Sequence, residues 1–256
     1  MMPAHANRFD DLFDNKKYIT LKNYLYNYRL RKRAIEKALS GEDLVLTLEV
    51  GSGISPVVTI TDRIVYTDIS FSAIRTLKKN QQKGWYVVAD AINLPFKRAS
   101  FSHVIASEVL EHLREDHKAL REMAAVVKPS GQLIITFPHR HFYFALDDRF
   151  VQHFRRYELN EMSTKLQDAG LTPVLVKKVL GPLEKVTMIV IVGCIYTVQK
   201  FRSQNALSSE GRKRFEILVP FFKWVNRFYA GIAWLDAKIM PQVFSTVLLM
   251  KIEKKR

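Results

Sequence analysis

In Leu48-Glu49-Val50-Gly51-Ser52-Gly53-Ile54-Ser55-Pro56, an acid and two closely spaced glycines follow an apolar run, the composition of a turn that can take a nucleotide. Glycines at 51 and 53 let the backbone turn sharply and leave no Cβ between it and a ligand. A dinucleotide fingerprint asks for a third glycine at position 56, and Pro56 stands there, which argues against NAD. Two later acids continue the pattern. Asp68 closes the run Ile64-Val65-Tyr66-Thr67, where a carboxylate can accept hydrogen bonds from both hydroxyls of a ribose. Asp90 closes Trp85-Tyr86-Val87-Val88-Ala89 and, with a backbone N–H, suits the amine and ring nitrogen of an adenine. Singly, each acid reads as a helix cap or a solvated loop charge. In series they read as a cofactor crevice.

Such residues need a parallel sheet to carry them. The runs Leu44 to Val50, Ile64 to Asp68, Trp85 to Ala91 and Ser102 to Val109 are apolar strands ending on polar residues, at the edge where an open parallel sheet binds its ligand. Gln132 to Pro138 and Thr172 to Leu180 read as a fifth and a sixth strand, and Phe244 to Ile252 as a seventh. The architecture expected is an α/β, Rossmann-like, doubly wound sheet of seven strands, mostly parallel, with the last antiparallel. Between Gly53 and the second strand, Ile54 to Arg63 hold Pro56 and the β-branched run Val57-Val58-Thr59-Ile60-Thr61, which is too short for an ordinary helix and predicts a turn or a 3₁₀ piece. The stretch between the sixth and seventh strands exceeds any ordinary loop and predicts helices at Leu183 to Lys200 and Arg212 to Ala237, around the polar stretch Arg202 to Gly211.

Taken together, Glu49-Val50-Gly51-Ser52-Gly53, Tyr66-Thr67-Asp68-Ile69-Ser70, Asp90-Ala91-Ile92-Asn93-Leu94-Pro95-Phe96, Phe101-Ser102-His103-Val104-Ile105, Glu108-Val109-Leu110-Glu111-His112-Leu113 and Val127-Lys128-Pro129-Ser130-Gly131 fall in one family's order. Over residues 41 to 180 the chain resembles the class I S-adenosylmethionine-dependent methyltransferases, in the subgroup with small-molecule and lipid-like substrates. The resemblance implies S-adenosylmethionine as cofactor. It implies that Glu49, Val50, Gly51, Ser52 and Gly53 hold the methionine part, Asp68 and Ile69 the ribose, and Asp90 and Ala91 the adenine. Ser107 would lie near the methionine amino group or the sulfonium.

Acceptor chemistry is expected in the polar, aromatic loop after the fifth strand, which carries His139, His141, Asp147, Asp148 and His153-Phe154-Arg155-Arg156-Tyr157. A similar His-x-Arg-Arg-Tyr element after an acidic pair occurs in methyltransferases of polysaccharide and lipid-linked glycan pathways. His153 is the candidate general base, since an ordinary imidazole titrates near neutrality and methylating a hydroxyl removes a proton. Asp148 belongs with it, and Arg155 or Arg156 could clamp a carboxylate or phosphate. The competing reading is that Arg-Arg-Tyr only fixes the loop to the fold.

Of the formal net charge of +15, residues 1–40 hold nine Lys/Arg against four Asp/Glu, residues 41–180 hold 18 against 16, and residues 181–256 hold 13 against five. The surplus therefore lies in the flanks, where it suits an anionic membrane surface, a nucleic-acid backbone or simple solubility. No Asn/Asp-Pro-Pro-Tyr/Phe element and no catalytic cysteine support a nucleic-acid methyltransferase. That class and a non-catalytic S-adenosylmethionine-binding module are the two alternatives. Cys194 alone permits neither an intramolecular disulfide nor a multi-cysteine zinc site, and no metal ligand set is read from the sequence. The N-terminus has no secretory signal, and the expected location is cytoplasmic, with peripheral membrane contact through the insert. Three parts are expected: a helical cap at 1–40, whose Tyr18, Tyr24, Tyr26 and Tyr28 serve as a cofactor lid or, the stronger reading, pack on the sheet; a core at 41–182 and 243–256; and a helical insert at 183–242. The insert's aromatics Phe215, Phe221, Phe222, Trp224, Phe228, Tyr229 and Trp234 would pack on the core, meet a second copy in a homodimer, lie on a membrane or cap a small-molecule substrate.

Overall fold

The computed structural model describes residues 21–80, 83–201 and 209–254, and the side chains of these outside 194–219. The expectations placed on Tyr18, on the side chains of Cys194 and Phe215, and on most of the polar stretch beginning at Arg202 lie outside them.

Seven strands form one sheet in the order β3-β2-β1-β4-β5-β7-β6. They are β1 (Thr47–Val50), β2 (Ile64–Asp68), β3 (Trp85–Val88), β4 (Phe101–Ser107), β5 (Val127–Pro138), β6 (Leu171–Leu180) and β7 (Val247–Lys254). Pairing from β3 through β5 is parallel, and β7 runs antiparallel to both β5 and β6. The architecture is the one the strand pattern called for. The chain steps outward from β1 to β3, then restarts at β4 on the other side of β1, so a crevice opens at the carboxyl ends of β1 and β4.

Burial explains the apolar character of these strands. All four residues of β1 and the first four of β2 are buried, because helices cover both faces of the sheet. One apolar core holds Leu48, Val104, Leu120, Leu133 and Met162 with α3 (Asp116–Val126) and α5 (Leu159–Asp168). The other holds Ile35, Leu39, Tyr66, Leu77, Ile105 and Ile134 with α1 (Tyr26–Leu39) and α2 (Phe71–Asn80).

The first strand begins at Thr47 rather than Leu44, because its partner β2 starts at Ile64, directly opposite. The fifth begins at Val127 rather than Gln132, since Val127 already pairs with Phe101 ahead of a register shift in β4. Two helices fill the stretch between β6 and β7, α6 (Pro182–Phe201) and α7 (Ser209–Ile239). Helix α7 packs on α1 and β6. The first free N–H of α1, on Tyr26, donates to Asn226 Oδ1 of α7 at 3.2 Å, and the Tyr26 ring meets Tyr229 edge-on at 4.8 Å. Tyr26 and Tyr28 are buried, so these tyrosines pack rather than form a lid.

Candidate active site

Gly51 and Gly53 both adopt positive φ, at 69° and 55°. At Gly51 an added Cβ would stand 2.5 Å from Val109 Cγ2, so the turn after β1 lies hard against the turn after β4. The register Val50↔Thr67 and Val50↔Ala106 brings Asp68 and Ser107 to either side of this turn, and Ala89 N–H donates to the Asp68 carbonyl, which extends the line to Asp90. The cofactor candidates Val50, Gly51, Ser52, Gly53, Asp68, Ile69, Asp90, Ala91 and Ser107 thus share one edge of the sheet.

No helix follows Gly53, as the short spacing predicted; beyond a turn at Ile54, residues 55–63 run as bends and irregular backbone rather than a 3₁₀ piece. Four of their backbone groups nevertheless find side-chain partners. Glu49, 2% exposed, accepts Val57 N–H on one carboxylate oxygen and Val58 N–H on the other, at 2.8 and 3.0 Å. Tyr28 and Tyr66 donate their hydroxyls to the carbonyls of Pro56 and Val58. Glu49 thus braces a helixless loop beside the glycine turn. Burial pushes its carboxyl up to about 8 against the pull of the two N–H donors. Asp68 accepts Gly53 N–H at 2.8 Å and Ser70 N–H at 2.9 Å. The carboxylate expected to hold the ribose is thereby locked to the glycine turn. Ser107 Oγ lies 2.9 Å from Thr136 Oγ1, and Asp90 Oδ1 accepts Ile92 N–H. Lys22, a residue the sequence reading passed over, carries an ammonium whose pKa burial and Arg31 lower to about 8, with Asp68 and Glu49 opposing.

The acceptor loop folds into a short helix, α4 (Leu146–Phe150), that turns two acids inward. Asp147 and Asp148 are buried, and Lys185 from the first turn of α6 bonds to both, at 2.6 Å each. Asp148 also accepts Arg156 Nε at 2.8 Å and lies 3.0 Å from His153 Nδ1. Burial pushes its carboxyl up, but His153, Arg156 and Lys185 outweigh that and hold it below the ordinary carboxylate range. Arg156 is only 4% exposed, gives Nη1 to the carbonyls of His139 and Thr246, and places Nη2 3.9 Å from Asp147. It braces the loop rather than standing free as a substrate clamp, because it is buried and its contacts are with its own fold. Arg155 is likewise engaged, with Asp116 and the Arg114 carbonyl.

With Nδ1 turned to Asp148, the Nε2 of His153 faces Glu111 at 3.7 Å, and its ring meets His112 edge-on at 4.7 Å. Glu111 and His112 lie in the turn that follows β4, between Glu108, ion-paired with Arg31 at 3.0 Å, and Leu113. Burial, then Glu108, pushes the Glu111 carboxyl well above its usual range; burial, then His153, lowers the His112 imidazole to about 3. In the sequence, Glu111 and His112 stand inside the Glu108-to-Leu113 motif with no role of their own. Their signal was there, an acid and an imidazole one step past a strand end in the ligand crevice. Lys185 had no such signal, since its partners lie 37 and 38 residues away.

A mostly parallel sheet with this order, a two-glycine turn after β1 and acids at the ends of β2 and β3 define an α/β protein whose β1–β4 crevice suits a nucleoside-bearing cofactor. Residues 48–135 match the methyltransferase domain family. The chain is 27% identical over 126 residues to a probable S-adenosylmethionine-dependent methyltransferase of Mycobacterium tuberculosis (48% of this chain, 46% of the relative), and 36% identical over 98 residues to a demethylmenaquinone methyltransferase of Paenarthrobacter aurescens (37% and 39%). The aligned region is thus less than half the length of these curated relatives. Among solved structures, the methyltransferase bound to the Trm112 activator of Haloferax volcanii superposes with a TM-score of 0.64 at 14% identity, covering 99% of this chain and 98% of its own. The matched segment, residues 48–135, is a methyltransferase domain, and the relatives it resembles include S-adenosylmethionine-dependent enzymes.

Proposed function

We propose that the protein transfers the methyl group of S-adenosylmethionine to a hydroxyl of a small amphipathic acceptor. The cofactor, when bound, supplies a methyl already activated on a sulfonium. The residues of the carboxyl edge fit it: Gly51 is exposed at the end of β1, and Asp68 is fixed to the Gly53 N–H of the same turn. Holding the two reactants in line supplies most of the acceleration, and the chain adds a place for the acceptor's proton. The observation that carries the oxygen acceptor is the Asp148–His153 pair. Asp148 fixes the ring so that Nε2, 11% exposed with its side chain, faces the turn packed against Gly51. A hydroxyl proton taken there leaves the oxygen free to accept the methyl. His153→Ala should lower kcat by about 10²–10⁴-fold with the affinity for S-adenosylhomocysteine unchanged. Turnover within threefold of wild type on an identified acceptor would remove the base from the proposal.

The amphipathic character of the acceptor rests on the insert. Phe221, Trp224 and Phe228 form a stacked ridge on α7, each more than 60% exposed, with Lys223 and Arg227 alongside. Exposed rings among cations suit the headgroup region of an anionic bilayer. No described helix is long and apolar enough to cross one. The wild-type protein should float with phosphatidylglycerol vesicles and be released by salt, whereas Phe221→Ala/Trp224→Ala/Phe228→Ala should stay in the dense fraction. Equal behaviour of the two proteins would assign the ridge elsewhere.

A further inference from the structure

We propose that Glu111, His112 and His153 form a binding site for a divalent first-row transition-metal cation beside the methyl-transfer crevice. One donor atom from each residue lies within 4.8 Å of the others. Bonds of about 2.0–2.2 Å place neighbouring ligands roughly 3–3.5 Å apart, so small side-chain rotations close the set around one ion.

The argument starts from Glu111. Its side chain is fully buried, and neither carboxylate oxygen has a hydrogen-bond partner. A buried acid left so is costly in either protonation state. A proton shared with His153 Nε2 does not resolve it, because 3.7 Å is beyond hydrogen-bond reach. Arg31 and Arg156 have their closest carboxylates in Glu108 and Asp148 and reach Glu111 only through space. Among the described residues, none gives the Glu111 carboxylate a hydrogen-bonded positive partner.

His153 gives an independent indication. A ligating imidazole is usually oriented by a carboxylate on its other nitrogen, and Asp148 holds Nδ1 at 3.0 Å with Nε2 aimed at Glu111. Asp148 is in turn fixed by Arg156 and Lys185, so the whole support lies in rigid, buried structure. Two imidazoles and one carboxylate favour manganese, iron, cobalt or zinc over magnesium or calcium, which prefer oxygen alone. Three protein donors leave positions open, the arrangement of a catalytic rather than a structural site.

An acceptor hydroxyl bound at an open position loses its proton to solvent more readily, and its oxygen is held at the turn that packs on Gly51. In the metal-loaded site His153 is then a ligand and no longer the base. This use of the site rests on the methyltransferase reading, but the existence of the site does not.

Full-length protein freed of metal with a chelator and titrated with cobalt(II) should develop visible d–d bands that saturate at one equivalent, and manganese(II) followed by electron paramagnetic resonance should compete for the same equivalent. Glu111→Gln and His153→Gln should each weaken cobalt(II) by at least about 100-fold. S-adenosylhomocysteine affinity, measured on the same samples, should stay unchanged and so report an intact fold; should Glu111→Gln fail to fold, His153→Gln alone decides. No stoichiometric binding by the wild-type protein, or binding indifferent to both substitutions, overturns the site while leaving methyl transfer standing. Metal binding that depends on Glu111 in a protein that does not bind S-adenosylhomocysteine upholds the site and overturns the functional proposal.

Discussion

Asp148→Ala should destabilise the fold by about 3–5 kcal/mol in chemical denaturation, the cost of removing one partner from a buried ion pair. Asp148 is 1% exposed in its side chain and accepts from Arg156, Lys185 and the Ala145 N–H, with His153 Nδ1 also in contact. Its loss leaves Lys185 to Asp147 alone and strips Arg156 of its closest carboxylate. Asp148→Asn, which keeps the shape and one acceptor oxygen, should cost less. Pairing Asp148→Ala with Lys185→Met should recover part of the loss, because the second change removes the stranded charge. Linkage gives an independent check. The folded-state pKa of Asp148 is depressed, so the unfolded chain binds its proton first as pH falls. The contribution is full above the ordinary carboxylate range and fades below it, and Asp148→Ala should show a flatter acid limb than wild type. An unfolding free energy within about 1 kcal/mol of wild type would show that the network is held together without Asp148.

How this network arises also shows what the sequence can reveal. The strand ends were legible because parallel strands buried on both faces are continuous apolar runs, and the acids that stop them at 68 and 90 lie where the run meets the crevice. The missing first helix was legible from Pro56 and the β-branched run that follows it. What replaces that helix was not. The pairing of Glu49 with Val57 and Val58 N–H depends on how a loop folds back, and no local pattern encodes it. The acceptor loop divides in the same way. His153 and Asp148 were legible as a pair by chemistry and closeness in sequence, whereas Lys185 enters from the insert and Glu111 and His112 from the turn after β4. Arg156 looked like a clamp because sequence shows a residue's charge but not whether that charge is already spent. Its burial, with every contact made to its own fold, decides the matter.

Asp68→Ala should weaken S-adenosylmethionine by about 100-fold or more in calorimetry. Two hydrogen bonds to an ionised acceptor are worth roughly 1.5–3 kcal/mol each, and even the lower value twice over exceeds two decades of affinity. The substitution also frees the Gly53 N–H and so loosens the turn that must lie against the ligand. These two effects separate in Asp68→Asn, which keeps an acceptor for Gly53 but gives up the charge and one ribose acceptor; it should lose about tenfold. Asp90→Ala, at the adenine end of the same edge, removes a loop contact to Ile92 without touching the glycine turn, and should also lose about tenfold. A ranking of Asp68→Ala above Asp90→Ala above wild type in dissociation constant fits a cofactor laid along the carboxyl ends of β1, β2 and β3. Asp68→Ala binding within twofold of wild type would mean that the ribose lies elsewhere, and the glycine turn would then have to be explained by the packing of Val109 against Gly51 alone.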